Sequence, residues 1–163
     1  MDVTVIVTMM ENINIIELRK EADMAGKTSE ACNYLYDKLK NYKGEDAVVW
    51  AYKALSSFLM ANYVFSPFSK LHYFNEGKEH MHTAIMKDPQ NIEVRFVRLA
   101  LQLRMPSFLG YSGHIEEDKK MILHALKNNL VKDNDLLQKI LTFIKQNRKV
   151  FTEKELLSAG IDE

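Results

Sequence analysis

The sequence is short of the residues that break regular structure. Only 6 glycines and 3 prolines occur in 163 residues, which implies long elements joined by short connections. A single cysteine, Cys32, excludes an internal disulfide and a cysteine-rich zinc site. It falls on or near the apolar helical face of Ala31, Leu35 and Leu39, the setting of a small buried hydrophobe. An excess of one charge is also missing, since 22 Lys+Arg stand against 22 Asp+Glu. Without a basic surplus nothing supports general affinity for nucleic acid or for an anionic membrane. No transmembrane segment is expected. The apolar stretch "VTVIVTMM", Val3 to Met10, is too short to span a bilayer. Asp2 follows Met1 where a secretory leader would carry basic residues. Residues 1–11 therefore read as an N-terminal arm, either disordered or the remnant of a leader, and residues 12–163 as one helical domain. The compartment stays open between the cytoplasm and export.

Hydrophobic residues make up 47% of the chain, enough for one continuous core. Past residue 12 their period is helical nearly everywhere. The first helix is expected over Asn14–Ala25, with Ile15, Leu18, Ala22 and Ala25 as its stripe. Thr28 or Ser29 caps a second helix that presents Ala31, Leu35, Leu39 and Tyr42 and stops at Gly44. The third, Glu45–Phe65, is apolar almost all round, as a central helix is. Ser66-Pro67 opens a fourth, which runs to Lys87. "DPQN", Asp88 to Asn91, separates it from a fifth, Ile92–Arg104, which ends before Pro106. A sixth is expected over His114–Leu130 and a seventh from Asp133 or Asn134. Thr152 and Glu155 form a capping box for a last short helix.

"HTAIMKDPQNIEVRFVRLALQL", His82 to Leu103, resembles the junction between two tetratricopeptide repeats. Ala84 and Gly77 fall where that family places small residues, and Met81 at a usual large one. "GEDAVVWAYKAL" echoes "PQNIEVRFVRLA" 45 residues later. The resemblance implies an all-α fold: an irregular tetratricopeptide-like stack of antiparallel helix pairs, seven or eight helices in all. "SPFSKLHYF", "DPQNIEVRFVRL" and "PSFLGYSGHIEEDK" together look like a family of small bacterial proteins. No function comes with that likeness.

On the fifth helix Arg95, Arg98 and Gln102 sit three and four residues apart, a polar stripe on an apolar background. A buried guanidinium without a partner costs several kcal/mol, roughly. Two readings follow. The stripe clamps a carboxylate in a groove, through the bidentate fork of arginine. Alternatively it closes internally on Glu116, Glu117 or Asp118, or on Glu76 and Glu79. The aromatics Tyr63, Phe65, Phe68, Tyr73, Phe74, Phe108 and Tyr111 flank the bends at Pro67 and Pro106. They line a ligand groove or fill a helix junction.

No metal site or cofactor is expected. His80 and His82 point about 200° apart on a helix. His114 and Asp118 at i,i+4 supply only two ligands. "GYSG", Gly110 to Gly113, is one residue too short for a nucleophile elbow and does not follow a strand. With no catalytic motif, the expected function is a non-enzymatic module that binds a peptide or partner protein through Arg95, Arg98, Gln102, Tyr73 and Tyr111. An enzyme or anion-binding site around Arg95, Arg98, His114 and Glu116–Asp118 is the alternative, and a structural homo-oligomer is a third.

Overall fold

The computed structural model describes residues 13–161, so the N-terminal arm expected over 1–11 lies outside the described residues. The described chain is all-α, with no strand. Eight α-helices follow one another: α1 Ile15–Ala25, α2 Ser29–Leu39, α3 Ala47–Tyr63, α4 Pro67–Lys87, α5 Ile92–Arg104, α6 Ile115–Lys127, α7 Asn134–Gln146 and α8 Glu153–Ser158. Single 3-10 turns, Ser107–Leu109 and Arg148–Val150, lie in the connections after α5 and α7.

The starts of these helices are chemically marked. Asn14, Thr28, Asp46, Ser66, Asn91, Asp133 and Thr152 each accept a backbone N–H of the first turn through a side-chain oxygen. Each cap satisfies a donor that has no partner inside its helix. The ends differ more from expectation. α2 stops at Leu39, so Tyr42 lies in the following connection and not on a helical face. There its Oη accepts from Asp46 N at 3.0 Å, and the same connection is held where Trp50 Nε1 donates to Gly44 O at 2.9 Å. α6 stops at Lys127, earlier than the expected Leu130. Asn129 takes a left-handed φ of 52°, and Leu130 N turns back to Ala125 O at 2.9 Å. Asparagine tolerates that conformation and ends the helix there.

α3 packs against α1, α2, α4 and α5, which accounts for its apolar character on every side. α4 comes closest to it. A Cβ at Gly77 would lie 2.8 Å from the Phe58 ring, so the glycine sets how near the two axes run. One core cluster joins Leu18, Leu35, Leu39, Phe58, Met81, Val94 and Val97. A second joins Leu99, Ile122, Ile140, Ile144 and Leu156. α5 belongs to both, since Val94 and Val97 face one cluster and Leu99 the other.

Candidate functional site

The polar stripe of α5 is buried, and α6 covers it. Arg98 Nε donates to Asp118 Oδ2 at 2.8 Å and Nη2 to Oδ1 at 2.7 Å, a bidentate pair. Arg95 Nη1 reaches Glu117 and, at 3.2 Å, Asp118 Oδ1. Its Nε and Nη2 donate to the carbonyl of Pro89 at 2.9 and 2.7 Å. Gln102 Nε2 donates to Asp118 Oδ2 at 2.9 Å, while its oxygen accepts from His114 N at 2.8 Å. Asp118, with no exposed surface, thus receives four donors. Burial works against the charge of Arg98, but the bonds and charges of Asp118 and Glu117 hold its pKa above the ordinary value. The hydrogen bond from Arg95, assisted by His114 and Arg98, holds the Glu117 carboxyl below its usual range. These groups spend most of their hydrogen bonds inside the protein; Arg98 Nη1 is the guanidinium nitrogen that makes none among the described residues.

The other residues considered from sequence are dispersed. Glu116 pairs with Lys119 at 3.2 Å. Glu76 is bonded by Tyr36 and Ser57 on the α2–α3 side of α4. Glu79 is exposed and makes no side-chain ion pair among the described residues. Neither glutamate reaches Arg95 or Arg98. His114 is exposed, and its Nδ1 lies 3.0 Å from Glu117. Tyr73 meets Tyr36 edge-on, with centroids 5.4 Å apart. Tyr111 lies on Phe58 and Phe74, with centroids 5.0 and 6.1 Å away. Burial pushes its phenol up to about 12, and its hydroxyl has no hydrogen-bond partner among the described residues. Among the described residues no group of three or more His, Cys, Asp or Glu is arranged to hold a metal ion. No described helix is long and apolar enough to cross a membrane.

A second ion network was not visible in the sequence. Arg19 of α1 is 2% exposed. Its Nε and Nη2 hold both oxygens of Glu93 at 2.7 and 2.8 Å, and Tyr52 adds a hydroxyl to Glu93 at 2.9 Å. Arg19 also donates to Asp133 and Asp135 at 2.7 and 2.9 Å. Beside it Lys139 of α7 pairs with Asp23 of α1. In an open solenoid each repeat touches only its neighbours. Here ion pairs of Arg19 and Asp23 tie α1 to Asp133, Asp135 and Lys139 at α7.

The exposed residues tell a different story. Phe65 is 98% exposed, Phe68 and Phe108 85% each, and Leu71 57%. Phe65 and Phe68 lie at the turn from α3 into α4, and Phe108 in the 3-10 turn after α5. Short connections make α3 and α5 both antiparallel to α4, so the two turns lie at the same end of the molecule. Tyr111, packed across Phe58 and Phe74, draws the α5–α6 connection over the α3–α4 pair. Phe65, Phe68 and Phe108 are thus large apolar side chains at that end that the core does not use.

Fold and surface together define an all-α protein of packed helical hairpins with one aromatic end. No protein family, curated protein or solved structure matches this chain.

Proposed function

We propose that this protein is a non-enzymatic, tetratricopeptide-like interaction module that binds an apolar segment of a partner protein at its aromatic end. The observation that carries the proposal is the exposure of Phe65, Phe68 and Phe108 together. Large apolar side chains left in water at one place cost solvation that a docked partner recovers. Aromatic residues dominate binding energy where they sit at the centre of an interface. The binding role thus moves from Arg95, Arg98 and Gln102, which bond chiefly to Asp118, Glu117 and the Pro89 carbonyl, to the bends at Pro67 and Pro106.

The test places a photo-reactive phenylalanine analogue at Phe68 and irradiates the native host cells. A discrete adduct with a second protein is expected. Serine at Phe65 and Phe108 should abolish it. Truncating one such anchor costs about 2 kcal/mol of binding, roughly a thirtyfold loss of affinity. An adduct only with another copy of the chain would make the surface a homo-oligomer interface and refute the partner reading. So would the absence of any adduct.

A further inference from the structure

Five cations are buried among the described residues: Arg19, Lys53, Arg95, Arg98 and Lys119. Four of them close on carboxylates. Arg19 meets Glu93, Arg95 and Arg98 meet Glu117 and Asp118, and Lys119 meets Glu116 and Glu155 at 3.2 and 3.3 Å. Lys53 is the exception. It is 5% exposed, and no described carboxylate lies within ion-pair distance of it. An ammonium has three donors. Lys53 Nζ gives one to Tyr42 O at 2.9 Å and stands 4.5 Å from the centroid of the Trp50 ring. A buried charge without a counter-charge is a liability in a folded protein unless something else supplies one.

The surroundings are organised. Trp50, Lys53 and Ser57 lie three and four residues apart on one stripe of α3. Tyr73, Glu76 and His80 repeat that spacing on α4. Tyr36 of α2 completes the wall. Glu76 accepts the Tyr36 hydroxyl at 3.1 Å and the Ser57 hydroxyl at 2.9 Å. His80 Nε2 stays 4.0 Å from Glu76, beyond a hydrogen bond, and its ring lies 5.6 Å from Trp50. Glu76 is therefore satisfied by hydroxyls, while the ammonium and the imidazole each keep hydrogen-bonding capacity. Burial holds the pKa of Lys53 below its ordinary value, against the pull of Glu76. Burial, with the charge of Lys53, does the same for His80. In both, burial outweighs the attraction of Glu76.

We propose that this cluster on α2, α3 and α4 binds a small ligand through an anionic oxygen group, a carboxylate or a phosphate, with Lys53 and His80 as the donors. The oxyanion supplies a counter-charge that no described carboxylate within ion-pair distance gives Lys53. Trp50, Tyr36 and Tyr73 give the rest of the ligand aromatic walls. The site is independent of the aromatic end, and neither proposal requires the other.

The chain contains one tryptophan, Trp50, so its emission reports this cluster alone. The experiment titrates the full chain with benzoate in one arm and inorganic phosphate in another, against potassium chloride at matched ionic strength. A saturable change in emission with benzoate or phosphate, and none with chloride, is the expected result. Which arm responds identifies the oxyanion. Lys53→Met keeps the buried stem and removes the charge; it should weaken binding at least tenfold. His80→Gln, a second variant on a different helix, should weaken it severalfold, which keeps the test decisive if Lys53→Met does not fold. No saturable response in either arm, or equal affinity in wild type and a folded variant, overturns the proposal. Lys53 would then be only a brace for the turn at Tyr42.

Discussion

Arg19→Met isolates the ion network that ties α1 to α5 and α7. The substitution keeps much of the side-chain volume and removes every charge-assisted bond. Glu93 is 5% exposed and would keep only the Tyr52 hydroxyl. Removing one partner from a buried ion pair costs about 3–5 kcal/mol. Asp133 and Asp135 are far more exposed, so water replaces Arg19 there and they add about 1 kcal/mol at most. With a urea m-value of about 2 kcal/mol/M, the unfolding midpoint should fall by roughly 2 M. Urea denaturation followed by far-UV circular dichroism measures this directly. Arg19→Met/Glu93→Met should recover most of the loss, because the uncompensated carboxylate has gone too. A deficit under about 1 kcal/mol for Arg19→Met would refute the reasoning, since that is the scale of an exposed ion pair. A double variant no more stable than the single one would refute it as well.

Three further outcomes are expected. Gly77→Ala forces a methyl against the Phe58 ring and should cost about 1–3 kcal/mol by thermal or urea unfolding; Phe58→Leu in the same chain should return part of it. Glu117 and Asp133 have folded pKa values below their unfolded ones, held there chiefly by hydrogen bonds from Arg95 and Arg19. Their stabilising effect is therefore fully present above the unfolded values of about 4 and is lost as pH falls through the folded ones. Urea midpoints measured against pH should decline on that acid limb, and Glu117→Gln should make the decline shallower; superimposable profiles would rule the effect out. Cys32 is fully buried, and burial pushes its thiol up to about 11. A thiol reagent should leave it untouched in the native protein and label it promptly in urea, whereas fast native labelling would contradict the packing.

Local features were legible in the sequence. Ser66-Pro67, Asn91, Asp133 and the Thr152–Glu155 box mark helix starts because capping is settled within four residues of chain. The all-round apolar character of α3 announced a central helix, and the spacing of Arg95, Arg98 and Gln102 marked a polar stripe. Helix ends were harder to read. Tyr42 continued the apolar pattern past the true end of α2, since nothing in the pattern shows that its hydroxyl caps the next turn. Arg19 sits in "ELRKEAD", which reads as a solvated face; its buried partner Glu93 lies 74 residues away. Lys53 lay hidden for the opposite reason. In a run of apolar residues it reads as a side chain whose head reaches water, and only the fold shows it 5% exposed with no described carboxylate beside it.

The bonds from Arg19 to Asp133 and Asp135 also set an order of events. The arginine leaves the ribosome 114 residues before the first of these carboxylates. At about 5–20 residues per second, roughly 6–23 s separate the two. Throughout that interval α1 carries a guanidinium whose finished setting does not yet exist. α1 thus cannot complete its own burial until α7 has been made.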